Sequence, residues 1–114
     1  MGNKIEASQT KKVELSKICE ALQDPKSRFI VKKLVYEDEP LDAKKIAEKC
    51  SMPLSTTYRK LDALTESSLV EKQTEIRKDG KHTQMYELDF RDFVVSLEKN
   101  GEEVEFEAEI TPSE

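Results

Sequence analysis

Tryptophan is absent, histidine occurs once, and glycine three times among the 114 residues of this chain. One imidazole, His82, gives no basis for a His-built metal cluster or a catalytic dyad. Gly2, Gly80 and Gly101 stand apart and make no Gly-rich phosphate loop. Cys19 and Cys50 lie far apart, without a CxxC or His-spaced companion, so they read as reduced intracellular thiols. No apolar run approaches the roughly 18 residues of a membrane span. The opening MGNKIEASQTKK has no apolar h-region, and Glu6 stands where a myristoylation signal wants Ser or Thr. These absences remove the basis for a catalytic residue, a bound metal, a cofactor or a membrane partner, and we expect a cytoplasmic, non-enzymatic chain.

What is present is charge, unevenly placed. The net charge is −5. Residues 26–86 carry thirteen Lys and Arg against ten acids, net +3, whereas residues 87–114 carry two against ten, net −8. Approach to a polyanion is governed by the local field, so the middle of the chain remains compatible with nucleic acid.

The chain divides into residues 1–10, expected to be disordered, a folded domain over 11–90, and an acidic extension over 91–114. Val13, Leu15, Ile18, Cys19 and Leu22 recur at helical spacing and predict a helix over 11–23. Asp24-Pro25 stops it and caps a second helix over 25–36, burying Phe29, Ile30, Leu34 and Tyr36. Leu41 is expected in a short strand and Asp42 as the cap of a third helix, 43–50, burying Ala43, Ile46, Ala47 and Cys50. Ser51-Met52-Pro53 turns into a fourth helix, 54–66, with Thr57, Leu61 and Leu64 inward. Strands over 69–76 and 83–90 flank Arg77-Lys78-Asp79-Gly80-Lys81-His82, where Asp79-Gly80 supplies positive φ. Helix, short turn, helix, then a hairpin with a charged tip is the layout of a winged helix-turn-helix. The expected fold is α+β, four helices plus a β-wing, with an additional C-terminal β-hairpin.

That last hairpin, roughly 93–110, is read from Asn100-Gly101. Pairing outward sets Lys99 against Glu102, Leu97 against Val104, Val95 against Phe106 and Phe93 against Ala108. The large apolar residues fall on one face and Glu98, Glu103, Glu105, Glu107 and Glu109 on the other. A one-residue slip would destroy that segregation. The apolar face needs a cover: the domain, a second copy or another protein.

With its apolar side inward, the fourth helix presents Ser55, Thr56, Tyr58, Arg59 and Lys60. Small hydroxyls permit close approach to a groove floor, and Arg59 can make the bidentate contact to guanine. An ordinary solvated helix face has similar composition; the turn before it and the wing after it favour groove reading. Arg77, Lys78, Lys81 and His82 suit phosphate or minor-groove contact, although basic hairpin tips also occur merely as soluble loops. Cys50 faces inward and reads as a core thiol. Double-stranded DNA is the expected partner. A winged helix serving as a protein adaptor, with the 93–110 hairpin as its partner surface, is the alternative that the acidic balance suggests.

Roughly residues 11–90 resemble the winged-helix ArsR-type transcription regulators, especially their archaeal branch. The matches are Leu22, Asp24, Pro25 and Arg28; Ile46-Ala47; Ser55-Thr56, Arg59, Leu61 and Leu64; and Leu69-Val70. The resemblance implies a homodimer on a two-fold operator, with the fourth helix in the major groove. It implies DNA contact by Ser55, Thr56, Tyr58, Arg59 and Lys60, supported by Arg77, Lys78 and Lys81. Three features depart from it. The Cys-x-Cys pair of metal-sensing members is a lone Cys50. The glycine closing the fourth helix is Ser68, which would be strained if left-handed. The C-terminal dimer helix is replaced by the acidic hairpin.

Overall fold

The computed structural model describes residues 10–112. Its elements run β1 (Lys11–Val13), α1 (Leu15–Leu22), α2 (Pro25–Leu34), β2 (Leu41–Asp42), α3 (Ala43–Cys50), α4 (Leu54–Glu66), β3 (Val70–Ile76), β4 (His82–Leu88), β5 (Asp92–Asn100) and β6 (Glu103–Thr111). This is the expected α+β winged helix-turn-helix with a further C-terminal hairpin. The expectation for residues 1–10 falls, Thr10 apart, outside the described residues.

Local chemistry accounts for the helix boundaries. The Asp24 carboxylate accepts from the Ser27 N–H at 2.9 Å and from the Ser27 hydroxyl at 3.1 Å, and Pro25 occupies the first turn of α2. From within α2, the Arg28 guanidinium donates back to the Leu22 carbonyl at the end of α1. The Leu-x-Asp-Pro-x-x-Arg string is therefore a corner, with Arg28 closing one helix and Asp24 opening the next. Asp42 opens α3 in the same way, accepting from the Lys45 N–H at 2.8 Å. Both α3 and α4 end on a left-handed serine, Ser51 at φ 54° and Ser68 at φ 71°. The Met52 N–H reaches the Ala47 carbonyl at 3.0 Å and the Leu69 N–H reaches the Leu64 carbonyl at 3.2 Å. These are six-to-one closures of the Schellman kind, which glycine usually makes.

Ile18, Ile30, Ile46, Leu61, Leu64, Leu69 and Ile110 are fully buried side chains. Ile110 belongs to β6, so the C-terminal hairpin contributes to the same core as the helices. Leu41 pairs with Tyr86, placing β2 beside the wing in the order β2-β4-β3. The second sheet runs β1-β6-β5.

Several expectations need correction. The helix predicted over 11–23 begins at Leu15, because Lys11–Val13 pairs with β6 as a strand. Val13 is therefore a strand residue, and Cys19 is exposed. The second helix ends at Leu34, and its last predicted core residue, Tyr36, is 84% exposed; Phe29 is 43% exposed. In the last hairpin the register is shifted by two: Asn100 pairs with Glu103, Leu97 with Phe106, Val95 with Ala108 and Phe93 with Ile110. Its loop is Gly101-Glu102, with Gly101 at φ 62°, so glycine fills the first central position of the turn. A shift of two preserves the facing of every side chain, so apolar and acidic residues remain segregated.

Candidate nucleic-acid interface

Thr57, Leu61 and Leu64 bury one side of α4, and the Thr57 hydroxyl donates to the Pro53 carbonyl at 3.0 Å. This fixes which side faces outward. Leu54, Ser55, Tyr58 and Arg59 are exposed, and Thr56 is half-buried. Arg59 makes no ion pair or side-chain hydrogen bond among the described residues, so its guanidinium is available.

Lys60 lies elsewhere. Its ammonium is 3.2 Å from the Asp24 carboxylate, and its side chain is only 21% exposed. It ties α4 to the corner between α1 and α2. Burial by itself would raise the Asp24 pKa, but the Ser27 N–H, the Lys60 ammonium and the Ser27 hydroxyl outweigh that and hold the carboxyl below its ordinary value.

Arg77 is also engaged. Its guanidinium lies 3.2 Å from Asp42, the residue that caps α3. One carboxylate thus joins the start of the wing tip to the start of the helix-turn-helix. Beyond it the tip is a tight loop: the Gly80 N–H donates to the Arg77 carbonyl at 2.9 Å, the Arg77 N–H to the Lys81 carbonyl at 2.8 Å, and the Lys81 N–H to the Asp79 carboxylate at 3.0 Å. Gly80 at φ 85° permits this reversal. Lys78 and Lys81 project from it, exposed and without ion-pair partners among the described residues.

Between α4 and the wing lies a cleft of about 270 Å³ lined by Asp42, Ala43, Lys44, Tyr58, His82, Thr83 and Gln84. Sequence reasoning placed His82 at the wing tip and gave Lys44 no role. The cleft brings both beside Tyr58. Lys44 follows a capped helix start and is exposed, which is the one sequence signal that could have flagged it.

Neither cysteine suggests a metal. Burial pushes the Cys50 thiol above its ordinary pKa despite nearby Lys33, and no group of three or more His, Cys, Asp or Glu able to hold an ion occurs among the described residues. No described helix is long and apolar enough to cross a membrane.

Residues 36–74 match the IclR helix-turn-helix domain. That span includes β2, α3, α4 and most of β3, about a third of the chain. A solved structure described as a possible transcriptional regulator from Methanosarcina mazei Go1 superposes with a TM-score of 0.54 at 14% identity, over 71% of this chain and 76% of that one. Nothing among the curated proteins matches. At this identity the structural likeness establishes the winged-helix fold. The matching domain is of the IclR type, so these findings support the winged-helix part of the resemblance and lend nothing to its ArsR part. DNA-binding regulation is the general role that the helix-turn-helix match supports.

Proposed function

We propose that this protein is a cytoplasmic transcription regulator that binds duplex DNA as a homodimer, reading the major groove with α4 and seating flanking phosphates on the wing. The observation carrying the reading is the exposed, unpaired Arg59 beside Ser55 and Tyr58 on a helix whose other side is locked into the core. Ser55, Thr56, Tyr58 and Arg59 form the groove-facing set, and Lys78 and Lys81 take phosphates. Lys60 and Arg77 act through position: one fixes α4 against α2, the other fixes the wing against α3. The cleft between Tyr58 and His82 gives the sugar–phosphate backbone a course between helix and wing.

Fluorescence anisotropy on mixed duplex DNA over a salt series tests this. Binding should weaken steeply with salt, and Lys78→Ala with Lys81→Ala should reduce the log–log slope by about 2. A folded protein that binds no duplex at low salt would refute it. The rival reading, a protein adaptor with no DNA affinity, is favoured by one observation, the exposed apolar side of the β5–β6 hairpin.

A further inference from the structure

From Val94 to Glu107 the β5–β6 hairpin is exposed on both faces. Its apolar side presents Val95 at 46%, Leu97 at 64%, Val104 at 52% and Phe106 at 62% exposure. A two-stranded ribbon standing alone is marginal in water. Among the described residues, the outer edge of β5 is also unpaired over all nine positions, since the sheet order is β1-β6-β5. Five consecutive residues of that edge, Phe93 to Leu97, carry no charge, and the strand has no proline or glycine. Edges exposed in solution are ordinarily protected by such residues.

The β5 edge and the stretch of β6 that β1 leaves uncovered differ in what they can accept. On β6, the edge not covered by β1 runs over 103–107. Antiparallel pairing with a second copy there would set Glu105 against itself and Glu103 against the partner's Glu107, all on one face. Like charges directly opposite are destabilising. On β5 the full-length antiparallel register centres on Ser96. It sets Glu98 against the partner's Val94, Asp92 against the partner's Asn100, Lys99 against the partner's Phe93 and Leu97 against the partner's Val95. No like charges meet. The β5 edge is self-complementary under a two-fold axis, which an isologous interface requires, and the β6 edge is self-repelling.

We propose that two copies of this chain join β5 to β5 about a two-fold axis through Ser96, making one six-stranded sheet. The axis stands perpendicular to the sheet, so both apolar faces point to the same side. There each copy's distal Leu97 and Lys99 lie beside the strand segment that the partner's own core covers. This deepens the homodimer reading above and rests on it, but does not depend on DNA binding.

The register makes the test specific. In a hairpin closed by a two-residue loop, Asn100 and the other even-numbered residues of β5 hydrogen-bond to β6, and the odd-numbered ones face the open edge. Ser96 would then oppose itself as a non-hydrogen-bonded pair, with Cα atoms about 4.5 Å apart, within disulfide reach. Val94 and Glu98 would each lie roughly 13 Å from their own copy in the partner. In a Cys19→Ser background, Ser96→Cys should cross-link to a covalent dimer under mild oxidation, whereas Val94→Cys and Glu98→Cys should do so only when mixed with each other. Light scattering on the full chain should give a dimer mass that Leu97→Glu, at an exposed position, shifts to monomer. A wild-type monomer mass would overturn both the homodimer and this interface. A dimer mass without the Ser96→Cys cross-link would leave the homodimer standing and overturn the β5 edge.

Discussion

Arg59 and Lys60 are neighbours in sequence and both cationic, yet their surroundings predict opposite phenotypes. Arg59 is exposed and makes no bond within the fold, so Arg59→Ala removes nothing from the native state. If it grips guanine bidentately, its loss costs about 2 kcal/mol per half-site, roughly a thirty-fold drop in affinity. Lys60 is held 3.2 Å from Asp24, with both side chains less than a third exposed. Lys60→Ala therefore costs stability, about 1 kcal/mol for a partly buried, charge-assisted contact, or roughly 4 °C in Tm for a domain of this size. The assay is a two-by-two comparison: thermal melts and anisotropy titrations for each single alanine. The expected pattern is a lost affinity with an unchanged melt for Arg59→Ala, and a lowered melt with affinity within about threefold of wild type for Lys60→Ala. Equal losses of affinity with unchanged melts would refute the assignment of Lys60 to the fold, and undiminished binding by Arg59→Ala would remove the groove contact.

Three further outcomes follow from the fold. Ser51→Gly and Ser68→Gly should each stabilise by about 0.5–1 kcal/mol in urea melts, because both serines sit in the left-handed region at helix ends; destabilisation would mean that their hydroxyls outweigh the backbone strain. Ile110→Ala should lower stability by about 2–5 kcal/mol and leave a single unfolding transition seen by both helix and strand probes; two separate transitions would show that the hairpin does not share the helices' core. Asp24 has a folded-state pKa below its unfolded one, so its contribution is present above about pH 4 and lost as pH falls through the folded value; the stability gap between wild type and Asp24→Asn in urea melts should close in that acidic window, and a gap unchanged down to pH 2 would refute the linkage.

The legible part of the sequence was its local chemistry. Asp42 before Ala-Lys-Lys, Pro53 after the turn, and the buried triad Thr57, Leu61 and Leu64 gave α3 and α4 to the residue. The glycine that Ser68 replaces flagged that position as strained if left-handed, and it is left-handed. Long-range partners were not legible. Nothing in a one-dimensional pattern links Lys60 to Asp24 or Arg77 to Asp42, so two of the eight candidate contacts looked freer than they are. The helical spacing of Leu15, Ile18, Cys19 and Leu22 was real, but Val13, two residues before it, went instead to the strand Lys11–Val13 paired with β6. In the last hairpin, alternation fixed the faces, whereas register depended on which two residues formed the loop. Asn-Gly and Gly-Glu differ there by two positions of pairing and by nothing in facing.

In the proposed β5 dimer, the acidic tail that made the chain look unsuited to DNA acts on assembly. Among the described residues, Glu107 pairs with Lys12 at 2.9 Å, and no acid of that strand face pairs with Arg59, Lys78 or Lys81. The position of these carboxylates on β6 makes that edge repel its own copy and leaves β5 as the edge open to pairing. Removing the repulsion should therefore change how many copies assemble. In Glu103→Gln, Glu105→Gln, Glu107→Gln protein the free stretch of β6 loses its charge, and sheets can extend through β5 and β6 in turn as an open array. Light scattering should then give masses above a dimer at concentrations where wild type stops at two copies. A triple variant that remains a dimer would show that the carboxylates do not set the limit on assembly.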